Sequence, residues 1–165
     1  MQLVRLAIVA IAIAAPVAAS AQAVEKGTIG VGVVLGEPTG LSAKLYLSDD
    51  TAIQAAVGLN FATDAIQVHA DYLWHPWLLE EQASFVLAVY VGPGVRVAQY
   101  DRGRDGDDYF AIGGRGVGGL LFDFKEVPLD AFVEAAGVLE IGLGGGESGA
   151  VGVKLNAGVG ARYYF

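Results

Sequence analysis

The chain has 165 residues, no cysteine, a formal net charge of −8 and 24 glycines, and 54% of its residues are hydrophobic. The length suits one domain, the missing cysteines exclude disulfides and thiolate metal sites, and no basic face is available to bind nucleic acid. Beyond residue 23 the sequence is apolar on average, yet charged or strongly polar residues interrupt every segment that could form a membrane-spanning helix.

The first 23 residues have the pattern of a secretory signal peptide. Arg5 supplies positive charge, an apolar run extends from residue 6 to residue 19, and Ala21-Gln22-Ala23 fits a small-x-small cleavage pattern. The run is shorter than the roughly 20 apolar residues that a spanning helix needs. We therefore expect secretion through the inner membrane, cleavage near Ala23 and a mature domain over residues 24–165. A retained N-terminal anchor is the alternative.

After the signal peptide, apolar residues alternate with polar or small residues in eight segments that are separated by turn signals. The predicted strands cover residues 28–35, 40–47, 51–61, 66–75, 84–100, 109–123, 129–143 and 150–165. We expect Pro76 to end the fourth strand. The fold class that this pattern predicts is all-β, an eight-stranded antiparallel up-and-down transmembrane β-barrel.

Alternation alone does not say which face of the barrel is apolar. A soluble barrel encloses its apolar face, and a membrane barrel turns that face outward. The polar face here is rich in glycine and poor in lysine, which favours the membrane barrel. With the N-terminus in the periplasm, aromatic residues collect in two belts, as expected at membrane interfaces. The predicted belts contain Trp74, Trp77, Phe122, Tyr163 and Phe165 on one side, and Phe61, Tyr109 and Phe110 on the other.

Several short strings carry a resemblance to known proteins. They are Pro38-Thr39-Gly40-Leu41-Ser42-Ala43-Lys44, His69-Ala70-Asp71-Tyr72-Leu73-Trp74-His75, Phe132-Val133-Glu134 and the ending Arg162-Tyr163-Tyr164-Phe165. The mature chain resembles the small eight-stranded outer-membrane barrels of the OmpA/OmpX-like group, and it is most similar to an uncharacterised family with the Pro-Thr-Gly-Leu-Ser string. The resemblance implies a Gram-negative outer membrane, contact with its lipid and lipopolysaccharide, and assembly by the barrel-assembly machinery through the C-terminal strand. It implies no activity.

Charges of both signs occupy the strand positions that face inward. A barrel of about eight strands has a lumen just wide enough for side chains to fill, and unpaired buried ions are costly. We therefore predict an internal salt-bridge network that plugs the lumen. Its predicted members are Lys44, His69, Asp71, Arg96, Arg115, Glu134, Glu140, Lys154 and Arg162. A narrow pore or proton path lined by the same residues is the alternative.

The predicted loop between the fifth and sixth strands is charged except for its glycines. Its charged residues are Asp101, Arg102, Arg104, Asp105, Asp107 and Asp108. The composition resembles that of a cation-binding loop, but calcium needs six to eight oxygens at fixed offsets and the run lacks the full spacing, so we predict a solvated extracellular loop. A cation-binding loop is the alternative. The sequence predicts no cofactor.

Three functions follow from these patterns. The first is a structural or surface-presenting outer-membrane protein with no identified external ligand. The second is a small channel or transporter of ions or hydrophobic solutes. The third is a lipid-modifying enzyme, which His69 and His75 suggest but which needs a nucleophile within hydrogen-bond reach of its base; no serine adjoins His69 in its strand.

Overall fold

The computed structural model describes residues 29–101, 108–144 and 148–165. Eight antiparallel strands follow one another around a closed barrel, and the last strand pairs with the first. They are β1 (Ile29–Gly36), β2 (Thr39–Tyr46), β3 (Thr51–Asn60), β4 (Ala65–Glu81), β5 (Phe85–Tyr100), β6 (Tyr109–Phe124), β7 (Leu129–Leu143) and β8 (Val151–Tyr164). Within these ranges no helix is long and apolar enough to cross a membrane.

The strands form because residues at alternate positions face two different environments, the outer surface of the barrel and its lumen. Outward positions carry large apolar side chains, such as Val31, Val95 and Val159, which are 44–59% exposed. Inward positions carry charged side chains, and Arg96 and Arg115 are at most 4% exposed. Because the apolar residues face out and the charged residues face in, this is a transmembrane barrel and not a soluble one. The predicted fold class is confirmed.

The register of the strands makes them tilt around the barrel. From Val151 on β8, pairing partners can be followed through each strand in turn to Val33 on β1, whose partner on β8 is Ala161. The path thus returns to its starting strand ten residues further along. A stagger of this kind goes with strands tilted by about 35–45°, and eight such strands enclose a lumen that side chains can fill.

Pro76 does not end β4, contrary to the prediction. The strand continues to Glu81, and its register with β5 shifts between Trp74 and Trp77. Three residues of β4 advance there against two of β5, which is a β-bulge. A bulge accepts proline because the missing N–H is not needed in the ladder. As a result Trp77 faces outward, as Trp74 does.

The two ends of the barrel differ. At the turn end, strands are joined by residues 47–50, 82–84 and 125–128; at the loop end, they are joined by residues 37–38, 61–64, 101–108 and 144–150. β1 and β2 have only 8 residues each, whereas β4 has 17. β1 ends at Gly36, where φ is 130° and a side chain would collide with the carbonyl oxygen of Ala157, so glycine is required there.

Candidate functional site: the charged lumen

Arg115 lies at the centre of the lumen between two carboxylates. Its Nε is 2.8 Å from Asp71 Oδ1, and its Nη2 donates to Glu134 Oε1 at 3.2 Å. The first contact is an ion pair by distance, but it is not aligned as a hydrogen bond. All three residues are at most 9% exposed. Their charges balance only in part, because one guanidinium serves two acids.

Gln54 on β3 joins this centre to a second ion pair. Its Nε2 donates to Asp71 Oδ2 at 3.1 Å and to Glu134 Oε2 at 2.9 Å, and its Oε1 accepts from Arg162 Nη1 at 3.1 Å. Arg162 Nε in turn donates to Asp130 Oδ1 at 3.0 Å. Gln54 is absent from the predicted network, although its inward position is visible in the alternation of β3. Side chains of β3, β4, β6, β7 and β8 are thereby connected across the lumen.

Tyrosine hydroxyls add further hydrogen bonds to two of these carboxylates. Tyr90 donates to Glu134 Oε2 at 2.8 Å, and Tyr164 donates to Asp130 Oδ2 at 2.5 Å. Neither tyrosine belongs to the predicted network, because an aromatic residue on an inward position also suits an apolar core. These bonds leave both acids with several donors, which a buried carboxylate requires.

A separate group of polar residues lies nearer the loop end. Arg96 Nη1 donates to Glu140 Oε2 at 2.8 Å, and Tyr100 donates to Glu140 Oε1 at 2.8 Å. The ring of Tyr109 stacks on Tyr100 with centroids 4.8 Å apart. Tyr109 therefore faces the lumen, and its predicted place in an outward aromatic belt is wrong. Lys154 also faces inward, with Nζ 5.5 Å from the centroid of the Tyr100 ring.

Lys44 lies nearer the turn end, and its partners there are a tyrosine and a histidine. Its Nζ donates to Tyr46 Oη at 3.0 Å and is 2.9 Å from His75 Nε2. His75 Nδ1 is 3.1 Å from the carbonyl oxygen of Asp50, so both of its ring nitrogens are engaged. Lys44 is therefore in the lumen as predicted, but no ion pair joins it to the network around Arg115 in the part of the chain that is described.

The two histidines lie inside the barrel. His69 is 3% exposed, and its Nε2 is 3.8 Å from Asp71 Oδ2. His75 is held by Lys44 and the turn at Asp50. A hydrolase acting on lipid would present its base toward the bilayer, beside a nucleophile. This geometry places both imidazoles on the opposite face of the wall.

The remaining predicted residues lie at the two rims. Trp74, Trp77 and Phe165 are 51%, 59% and 78% exposed at the turn end, and Phe61 and Phe110 are 71% and 52% exposed at the loop end. Phe122 is also exposed near the turn end, and Tyr163 contacts Phe165 edge-on.

The charged loop is described only at its two ends. The Asp101 N–H donates to the carbonyl oxygen of Asp64 at 3.0 Å, and Asp108 precedes β6. Arg102, Arg104, Asp105 and Asp107 lie outside the described residues, and so does the predicted signal peptide. Their predicted roles stay predictions.

The barrel is similar to the N-terminal β-barrel domain of Pseudomonas aeruginosa OprF, with a TM-score of 0.61 and 16% sequence identity over 85% of this chain and 98% of that chain. Ail, the attachment invasion locus protein of Yersinia pestis, is matched with a TM-score of 0.38 and 15% identity over 86% of this chain and 100% of that chain. No family model and no curated protein matches the sequence. The likeness to the OprF domain supports an OmpA-like eight-stranded barrel, and membership in the Pro-Thr-Gly-Leu-Ser family stays a prediction.

Proposed function

We propose that this chain is a bacterial outer-membrane protein with a structural or surface-presenting role, and that its lumen does not conduct ions. The apolar exterior and the fold shared with the OprF domain support the location. Outer-membrane barrels have short periplasmic turns and longer external loops. The turn end would then face the periplasm, and the loop at residues 101–108 would meet lipopolysaccharide or a partner outside.

The contacts of Gln54 carry the proposal of a closed lumen. Its amide contacts side chains from three other strands, namely Asp71, Glu134 and Arg162, at 2.9–3.1 Å. Because the lumen of an eight-stranded barrel is about as wide as its side chains, a connected layer of this kind leaves little room for a hydrated ion. The second predicted function, a channel, would require this layer to open.

Planar-bilayer conductance tests the proposal. The purified barrel should give no reproducible current steps, whereas Arg115→Ser combined with Glu134→Ser should give them, because two long side chains of the central layer are shortened. Lys125→Ser combined with Glu81→Ser is the matched control: it removes one charge of each sign from an exposed pair outside the lumen and should stay silent. Steps from the wild-type protein would favour the channel or transporter.

The enzyme hypothesis has its own test. A deletion strain should keep an unchanged pattern of lipid A acyl chains, since both histidines face the lumen. A changed pattern that the intact protein restores would overturn this part of the proposal and favour a lipid-modifying activity.

A further inference from the structure

β1 and β2 are too short for the barrel wall to which they belong. Each has 8 residues, whereas a transmembrane strand needs about 9–11. The pairing of β1 with β8 ends at Gly36 opposite Gly158, but β8 begins at Val151. The wall therefore has a notch at the loop end, above the β1–β2 hairpin. One side of this notch is the first half of β8.

The notch leaves one edge of β8 without a strand partner among the described residues. The Glu37 N–H donates to the carbonyl oxygen of Ala157 at 2.9 Å, just where the pairing with β1 ends. In an antiparallel sheet, alternate residues direct their backbone groups to the same neighbour. Leu155, Val153 and Val151 therefore turn their N–H and C=O groups toward the open edge.

The side chains of the same residues are unusually uncovered. Val151, Val153 and Leu155 are 67%, 80% and 77% exposed, whereas the other exposed large apolar residues within the strands range from 36% to 60%. On the inner side, Asn156 is 3% exposed and its Nδ2 donates to Glu37 Oε2 at 3.0 Å. The turn after β1 thus covers the inner side of β8 at Asn156.

The open edge lies at a depth where contact with lipid chains alone is unfavourable. Tyr163 lies in the aromatic belt at the turn end, and about 9–11 residues counted back along β8 lead to residues 153–155. The open edge thus begins within the outer part of the hydrocarbon layer and continues to its surface. Lipid chains offer no donor or acceptor to backbone groups, so open sheet edges do not occur there.

We propose that the open edge of β8, at Val151–Leu155, binds an extended peptide segment of another protein as an added β-strand. This inference rests on the proposed outer-membrane location. The edge needs a donor and an acceptor at every second residue, which an extended backbone supplies. Strand addition would also cover the apolar side chains, so a segment with apolar residues on its lipid face is the occupant that fits.

A second copy of this chain does not fit the edge in the same way. Antiparallel pairing of two identical β8 edges would invert one barrel relative to the other, and insertion in a single orientation forbids this. With the predicted cleavage near Ala23, the mature N-terminus is also too far away. Residues 24–28 span at most about 18 Å, whereas the ten residue steps from Phe165, whose N–H donates to the carbonyl oxygen of Ile29, back to Leu155 span about 33 Å.

The variant Val153→Pro tests the open edge without disrupting the rest of the barrel. Proline removes only the N–H that faces the notch, so the ladder with β7 should survive. The probe is a fluorescent heptapeptide of alternating valine and threonine, added to the barrel in lipid nanodiscs. Val153→Pro should weaken its binding at least tenfold, while Val153→Thr, which keeps the N–H, should stay within about twofold of wild type. Retained heat-modifiable mobility in gels shows that both variants fold.

Amide hydrogen exchange of the wild-type barrel gives a second readout that needs no variant. The amides of Val153 and Leu155 should exchange fast alone and slowly with the heptapeptide. Equal affinity for Val153→Pro, no added protection, or protection of both amides without peptide would each overturn the inference. A protein that is soluble and monodisperse without detergent would instead overturn the proposed function.

Discussion

Replacing Arg115 by methionine should destabilise the barrel strongly, because the substitution leaves two buried carboxylates without their cation. Methionine has a long side chain, so the change tests charge more than the creation of a cavity. Asp71 and Glu134 would then share the Gln54 Nε2 donor, at 3.1 and 2.9 Å. Glu134 would also keep its bond from Tyr90 at 2.8 Å.

The geometry gives the size of the effect. The two carboxylate oxygens lie within about 6 Å of each other because both accept from one nitrogen, and at an effective dielectric of about 20 two unit charges at that distance repel by about 3 kcal/mol. The lost attraction to Arg115 adds to this repulsion, and protonation of one acid relieves part of it. Removing one partner of a buried pair costs about 3–5 kcal/mol, and we expect the free energy of unfolding to fall by that amount.

The assay is urea unfolding of the barrel in phospholipid vesicles, followed by the fluorescence of Trp74 and Trp77, which face outward. Lys125→Met is the control. Lys125 Nζ is 2.8 Å from Glu81 Oε1, but both side chains are exposed, so its removal should change the free energy of unfolding little.

Neutralising the acids as well should restore most of the lost stability. In the triple variant Arg115→Met, Asp71→Asn, Glu134→Gln, no buried charge lacks a partner at this level, and such replacements are often close to neutral. A loss below about 1 kcal/mol for the single variant would refute the reasoning, since buried pairs cost about three times more when broken. A triple variant no more stable than the single one would refute it too.

Two further predictions concern glycine positions and a turn. Gly116→Ala should leave stability unchanged, because its added Cβ meets nothing within 4 Å, whereas Gly92→Ala would collide with the carbonyl oxygen of Tyr72 and should sharply lower the yield of folded, heat-modifiable barrel. Ser48 Oγ donates to Asp50 Oδ1 at 2.6 Å and holds the pKa of that carboxyl below its usual range. Ser48→Ala should raise this pKa, as carbon-13 NMR in micelles would report; an unchanged value contradicts the assignment. The lowered pKa stabilises the fold above the unfolded pKa, and this contribution is lost as pH falls through the folded pKa, so the two proteins should differ at neutral pH and converge in acid.

The strands could be predicted because their signal is local. The alternation predicts a strand over residues 129–143, and β7 covers Leu129–Leu143. The prediction works because the polarity of each side chain there depends on which face of the barrel wall it occupies. Pro76 shows where a local rule fails. Proline does interrupt the ladder, but the neighbouring strand absorbs the interruption as a bulge, and only the pairing with β5 reveals it.

The contents of the lumen could be predicted, but not the partners within it. The alternation along β3 and β8 identifies Gln54 and Arg162 as lumen residues. They lie 108 residues apart, however, and their side chains come into contact only because of the stagger of the whole barrel. The same limit explains Lys44, whose partner His75 is set by the pairing of β2, β3 and β4. Tyr109 is different. The alternation along β6 places it on the inward face, but an aromatic ring at a strand end is also typical of the membrane interface.

The bulge at Pro76 also governs how deep the molecule sits in its bilayer. Without the extra residue, Trp77 would turn toward the lumen; with it, two indoles share the outer surface at different depths near one rim. Indole rings favour the headgroup region, so the two tryptophans hold this rim at a fixed depth relative to the lipid headgroups. Variation in bilayer thickness must then be taken up at the far rim, where Phe61 and Phe110 lack a polar group to hold them in place.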